Sequence, residues 1–335
     1  YDRRRQRQMC IRDRFYSSIT ILMKDATFIG KFFYQLSINV GSKYKEYFID
    51  GKEPPLSLKL SYWICNQLVL KNIKKLLGLN NCRYALSGAA PISPDLINWY
   101  LSLGIDMREG WGMTETAGVG TAFYSREIKL GHVGRAVNES EVRIAQDGEI
   151  LFRGPGVFCG YLNKPEQTKE TLIDGWLHTG DVGEIDNYGN LKITDRKKDI
   201  IITAGGKNIS PSEIENELKF SPFISDAVVI GDKRKFLSCL IMIDEENVMK
   251  HAQDNDIPFS NFESLCKSEE IVALIDDEVN RVNKKFASVE QVKKFSLIDI
   301  QLTAEDDELT PTMKLKRKFI NQKYGDIIES MYQSA

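Results

Sequence analysis

CRYALSGAAPISPDLINWYLSLGIDMREGW, residues 82–111, decides the fold class of this chain. A short apolar strand, CRYALSGAA, runs into a turn of small residues. Ser93 and Pro94 then make a helix start, because a serine hydroxyl can cap an orphan amide and proline needs no partner in the first turn. The helix DLINWYLSL stops at Gly104, and IDMREGW follows as a second strand. Strand, turn, helix and strand in this order are the grammar of a parallel α/β sheet, whose ligands sit beyond the carboxyl ends of the strands.

Upstream, residues 15–79 read as helical, with apolar residues recurring among lysines in LKLSYWICNQLVLKNIKKLLGLN and Gly78 placed to end the last helix. Ile19 to Val40 reads as one amphipathic helix, interrupted by Lys24, Asp25 and Lys31, which leaves peripheral membrane contact open. The first fourteen residues, YDRRRQRQMCIRDR, differ in kind: they are dense in charge and lack a period. They are a disordered basic arm or a cloning or assembly scar, and the second reading is preferred.

Downstream of Gly131 the texture alternates polar and apolar residues with frequent glycines. This predicts a small barrel-like unit of antiparallel strands over about residues 131–194, with a hairpin at Asp147-Gly148 and a turn at Asp186 to Asn190. Residues 15–194 are therefore expected to form one large domain with that β unit at its end, and residues 195–335 a separate α+β domain of the ferredoxin-like kind. In the latter, ISPSEIENEL carries a capping box at Ser210 and Glu213, DAVVIGD and FLSCLIMID are strands, and SEEIVALIDDEVNRVNKKF is a long amphipathic helix.

Composition excludes several classes. Lys and Arg number 45 against 47 Asp and Glu, for a formal charge of −2, so no strong polyanion field exists and no nucleic-acid partner is expected. The six cysteines are scattered without a CxxC pair, which argues against zinc or a disulfide framework and for a reducing, cytoplasmic setting. No apolar run is long enough to span a bilayer.

Four stretches carry candidate chemistry. EGWGMTETAG, Glu109 to Gly118, sets Gly110 and Gly112 around Trp111, so that backbone can approach a ligand and an indole can face a base. Thr114 adds a hydroxyl, and Glu115 adds a carboxylate suited to Mg²⁺ beside phosphates. GWLHTGD places Asp181 at a loop end, where a carboxylate can accept two ribose hydroxyls; His178 reads as structural. ITDRKKDIIITAGGKNI supplies Arg196 for ribose or phosphate and a side-chain-free turn at Gly205-Gly206 beside Lys207. LTPTMKLKRK presents Lys314 as a point charge on a short rigid segment. Each stretch alone also has a plain structural reading: a buried tryptophan in a Gly-rich loop, a turn aspartate, a glycine hairpin and a solvated basic tail.

Together, in this order and spacing, the four stretches resemble the adenylate-forming superfamily of acyl-CoA synthetases, luciferases and peptide-synthetase adenylation domains, from about Leu56 to Ile320. The resemblance implies that Gly88, Ala89 and Ala90 form the adenine-side loop. It makes Glu109, Gly110, Trp111, Gly112 and Met113 part of the AMP site, with Trp111 stacked on adenine. Thr114 would contact the α-phosphate, Glu115 would hold magnesium, and Asp181 and Arg196 would bind the ribose. Lys198 would be the hinge about which a mobile C-terminal domain swings, Gly205, Gly206 and Lys207 would line the CoA pantetheine tunnel, and Lys314 would drive adenylation. Pro-Thr-Met-Lys in place of Ser/Thr-Gly-Lys, with ITAGGKNISPSEIE, points to long-chain fatty acids.

The implied activity is activation of a fatty acid by ATP with Mg²⁺, followed by transfer to CoA. One element departs from the pattern: nothing resembles the family's Ser/Thr/Gly-rich phosphate loop ending in Pro-Lys-Gly. The chain is therefore expected to begin inside the large domain and to be incomplete for turnover. Two other readings stand beside it, an acyl-AMP ligase that loads a carrier protein and a non-catalytic fragment that binds nucleotide or acyl adenylate.

Overall fold

A computed structural model describes residues 11–88, 92–124, 128–300 and 316–333. The chain divides into two compact units: Met23–Asp199 forms one, and Ile200 onward, together with the residues up to Leu22, forms the other. Residues 15–22 therefore group with the C-terminal unit rather than with the first domain. The reason is packing: Ile19 is 1% exposed and the Tyr16 ring stacks on Phe220 with centroids 4.5 Å apart.

The single helix expected over Ile19 to Val40 is two, α1 (Ile11–Asp25) and α2 (Phe28–Ile49). Thr27 breaks the run, because its side chain accepts the Gly30 amide and starts a new helix. α2 is amphipathic the wrong way round for a surface helix. Ser37, Gly41 and Lys45 are buried, whereas Phe28, Ile29, Phe32, Phe33 and Leu36 are exposed. The small residues face inward because Gly41 lies directly against the Ser102 carbonyl, where any Cβ would clash. Lys45 bonds the Asn98 side chain there, and burial lowers its ammonium below the usual lysine range.

α3 (Leu56–Cys65) continues through one π turn, Asn66–Leu70, into α4 (Lys71–Leu76), after which Gly78 takes a positive φ. β1 (Ala85–Ser87) pairs in parallel with β2 (Met107–Glu109) across α5 (Pro94–Ser102), capped by Ser93 as its sequence requires. β3 (Thr121–Ala122) and β4 (Arg135–Ala136) form a short ribbon. The small β unit is a five-stranded antiparallel sheet of β5 (Glu141–Ile144), β6 (Glu149–Arg153), β7 (Leu172–Ile173), β8 (Trp176–Ile185) and β9 (Leu191–Arg196), with α6 (Pro165–Thr171) entering β7. Its hairpins turn at Gly148 and at Asp186 to Asn190, where the Asp186 carboxylate accepts the Tyr188 and Asn190 amides. One sheet face packs Ile150, Phe152 and Leu177 around Trp111, Val133 and Leu191.

The C-terminal unit opens with a hairpin, β10 (Ile201–Ile202) and β11 (Asn208–Ile209), then α7 (Pro211–Lys219). Ser210 is the N-cap residue of α7 but forms no capping hydrogen bond there, so the expected capping box is not built. β12 (Ile224–Ile230) and β13 (Leu237–Ile243) are antiparallel. A crossover through α8 (Glu245–Asp254), α9 (Phe262–Lys267) and α10 (Glu269–Asn283) brings β14 (Val292–Leu297) parallel to β13. Successive residues of β12 and β13 point to opposite faces. Val229, Cys239 and Ile241 pack under α7 and α10, while Val228, Leu240 and Met242 pack under α11 (Arg317–Lys323) and α12 (Gly325–Gln333). The unit is α+β with helices on both sheet faces. This explains why all seven residues of β13 are buried and why six of them are apolar, the exception being Ser238, whose hydroxyl donates to Tyr332 Oη.

Candidate nucleotide site

The two parallel strands end side by side. The Gly110 amide donates to the Ser87 carbonyl at 2.9 Å, and a Cβ on Gly88 would come within 2.9 Å of the Gly110 carbonyl. Glu109, at the end of β2, is 9% exposed. Ala89 and Ala90 lie outside the described residues, as does Lys314.

Beyond β2 the chain folds back on itself. Trp111 bridges to Thr121, and a 3₁₀ turn, Thr114–Thr116, follows, with the Thr116 hydroxyl accepting the Met113 amide. Gly112 is required by the chain's own return. A Cβ there would lie 2.0 Å from the Gly118 carbonyl oxygen, so the glycine serves the fold-back itself. A Cβ on Gly110 would likewise lie 3.0 Å from the Thr121 carbonyl oxygen. Met113 packs on the β unit, Thr114 is exposed and Glu115 is half-buried.

Three residues predicted separately meet in one place. The buried Asp181 carboxylate accepts the Trp111 Nε1–H at 2.8 Å through Oδ2, and Arg196 Nε pairs with Oδ1 at 2.8 Å. Asp181 and Arg196 face each other in the β8–β9 register, so one strand pair sets both. The indole is only 6% exposed, edge-on to Phe152, with Gly120 against its six-membered ring. Trp111 therefore ties the strand-end loop to the Asp181 carboxylate, and its ring is almost wholly buried.

Two partners carried no sequence signal. Tyr161 Oη donates to Glu115 Oε1 at 2.7 Å, and burial followed by the Glu115 hydrogen bond raises the phenol above its usual range. Glu149, 6% exposed, accepts the Gly180 amide, the Lys197 ammonium and His178 Nδ1, so His178 has a structural partner. Burial would push the Glu149 carboxyl up, but those bonds outweigh it and hold it below the ordinary value of 4.5. A depressed folded value means that its contribution is complete above the unfolded range and is lost as pH falls through the folded value. Glu149→Gln should therefore flatten the acid limb of a stability–pH curve below pH 4.5 in chemical denaturation; an acid limb as steep as before would contradict this pairing.

Lys198 is exposed and lies two residues before Ile200, where the second unit begins. Gly205 and Gly206 form the tip of the β10–β11 hairpin beside exposed Lys207. Gly206 has φ +73 and nothing within 4 Å of an added Cβ, so this turn is open to solvent. Among the described residues no group of three or more His, Cys, Asp or Glu could hold a metal ion, and no helix is long and apolar enough to cross a membrane.

The AMP-binding enzyme family matches residues 42–162, and the AMP-binding enzyme C-terminal domain matches residues 198–335. The chain is 39% identical over 284 residues to the long-chain-fatty-acid–CoA ligase FadD15 of Mycobacterium bovis, covering 84% of this chain and 47% of that protein. It is 38% identical over 300 residues to the putative fatty-acid–CoA ligase fadD11 of Mycobacterium tuberculosis, covering 89% and 52%. It thus spans about half the length of the curated relatives it matches. Among solved structures, the A domain of a carboxylic acid reductase from Segniliparus rugosus, with AMP, superposes with TM-score 0.62 at 19% identity, over 89% of this chain and 46% of that one. O-succinylbenzoate CoA synthetase from Bacillus subtilis, with ATP and magnesium, gives TM-score 0.54 at 27% identity, over 70% and 46%. With both parts of the family matched in order around the Trp111–Asp181–Arg196 site, the chain belongs to the AMP-binding, adenylate-forming enzymes.

Proposed function

We propose that these residues are the C-terminal portion of a long-chain fatty acid–CoA ligase. The observation that carries this reading is the convergence of Trp111, Asp181 and Arg196 at the strand ends, in a chain whose relatives are named as such ligases. In the first half-reaction a fatty acid carboxylate oxygen attacks the α-phosphorus of ATP, the bond to the β-phosphate oxygen breaks, and pyrophosphate leaves. Two anions must approach, so catalysis is mainly positioning and charge neutralisation. Asp181 and Arg196 hold the ribose, Thr114 offers its hydroxyl to the α-phosphate, and Lys314 neutralises the approaching charges.

A single half-buried carboxylate, Glu115, suits Mg²⁺ that keeps its remaining positions for phosphate oxygens and water. Bound there, the ion neutralises phosphate charge. In the second half-reaction the CoA sulfur attacks the acyl carbonyl and AMP leaves, with Gly205, Gly206 and Lys207 lining the thiol's approach after a swing at Lys198. The exposed Gly206 tip, with nothing within 4 Å of an added Cβ, supports that assignment. Because no segment resembles the Ser/Thr/Gly-rich phosphate loop, we assign complete turnover to a polypeptide that also supplies it. To these residues we assign the adenosine grip, the hinge and the moving lysine.

In a complete enzyme carrying these residues, Lys314→Ala should abolish adenylation by at least ~100-fold while sparing thioester formation from pre-made acyl adenylate. Lys198→Pro should do the reverse. Equal loss of both half-reactions in Lys314→Ala would remove the assigned role of that lysine. Pyrophosphate release with palmitate, run with CoA or with a holo carrier protein as acceptor, separates the ligase from a carrier-loading enzyme and from a silent binding fragment.

A further inference from the structure

Glu115 is held twice by one loop. Its carboxylate accepts the Tyr161 hydroxyl at 2.7 Å, and its backbone carbonyl accepts the Phe158 amide at 2.9 Å. The two aromatic rings of that loop pack edge to face with centroids 4.8 Å apart. The loop is fixed from behind. The Tyr161 amide donates to Thr168 Oγ1 at 2.9 Å, and that hydroxyl donates in turn to the Lys164 carbonyl at 2.9 Å. Gly160 has φ +145, and a Cβ there would lie 2.8 Å from Thr168 Cγ2, so only glycine brings Tyr161 round to face the 3₁₀ turn. A phenol on so constrained a loop is an aimed group.

We infer that Tyr161 is a positioning residue for the Glu115 carboxylate, holding one of its oxygens so that the other is presented to the cation that accompanies the nucleotide phosphates. The inference rests on the reading of Glu115 as the magnesium carboxylate. The physical reason is that a carboxylate bonded by one neighbour loses rotational freedom and meets a cation in one orientation. Removing such outer partners typically weakens metal affinity about 10–100-fold. A purely structural tyrosine would instead affect folding and all ligands alike.

The test is equilibrium binding to the 335-residue chain, with ATP titrated at increasing Mg²⁺ and AMP titrated without metal. Tyr161→Phe keeps the ring and removes only the hydroxyl. It should raise the Mg²⁺ concentration for half-maximal ATP binding about 10–100-fold, leaving metal-free AMP affinity and melting temperature unchanged. In a Glu115→Gln background the same substitution should add nothing. An unchanged Mg²⁺ requirement in Tyr161→Phe, or an equal loss of AMP affinity, overturns the inference. If Glu115→Gln itself leaves the Mg²⁺ requirement unchanged, the metal reading of Glu115 falls first and the inference with it. An unmodified chain that binds neither nucleotide overturns the adenosine site as well.

Discussion

Asp181→Ala is expected to cost both nucleotide affinity and stability, and no other single change at the site should do as much of both. The carboxylate is buried and already joins Trp111 Nε1 to Arg196 Nε, each at 2.8 Å. Alanine leaves a buried indole N–H without its acceptor, at about 1–3 kcal/mol. In the proposed role it also removes the acceptor of two ribose hydroxyls, each bond to a charged group being worth about 1.5–3 kcal/mol. AMP affinity should therefore fall at least ~100-fold. Trp111→Phe removes the donor and trims the buried ring but leaves the Asp181–Arg196 pair, so it should cost far less nucleotide affinity. A double-mutant cycle between positions 111 and 181 should give a coupling of about 0.5–3 kcal/mol. Calorimetric AMP binding that is unaltered in Asp181→Ala would take the residue out of the site.

A second large effect lies in the C-terminal unit. Glu215 is 8% exposed, its Oε1 accepts the Val229 amide at 2.7 Å, and Arg317 pairs with Oε2 at 2.6 Å. Arg317 also donates to the Val229 carbonyl at 3.2 Å, so one ion pair clamps α7, β12 and the first turn of α11. Burial drives the Glu215 carboxyl up despite the opposing charge of Arg317, a sign of how much desolvation this pair bears. Breaking a buried pair from one side strands the other charge. Glu215→Ala or Arg317→Ala should each destabilise the unit by about 3–5 kcal/mol. Replacing both with apolar residues of similar volume, Glu215→Met with Arg317→Met, should recover most of that loss, because neither charge is then left buried alone. If urea denaturation shows the double variant to be as unstable as the sum of the singles, the clamp argument is wrong.

Much of the architecture is written in local residues whose effect needs no distant partner. Ser93 and Pro94 start α5, Gly148 closes one hairpin with a positive φ, and Asp186 caps its own turn with its own carboxylate. These features depend on φ, ψ and hydrogen bonds over a few residues, which is why the local sequence shows them.

The strand-ending stretch from Cys82 to Trp111 by itself determined the parallel β1–α5–β2 unit, at whose strand ends we propose the nucleotide sits. What only tertiary structure decided is which groups meet there. Trp111 and Asp181 are 70 residues apart, and Tyr161 lies 46 from Glu115. Neither spacing has a period that a helix or strand could repeat. The same holds for Gly112, whose need for a bare Cα comes from the returning backbone at Gly118, and for α2, whose small face is buried because Gly41 must clear the Ser102 carbonyl. Local chemistry sets what each residue can do. Packing sets what it does, because close contact in a dense interior depends on shapes brought together from far along the chain.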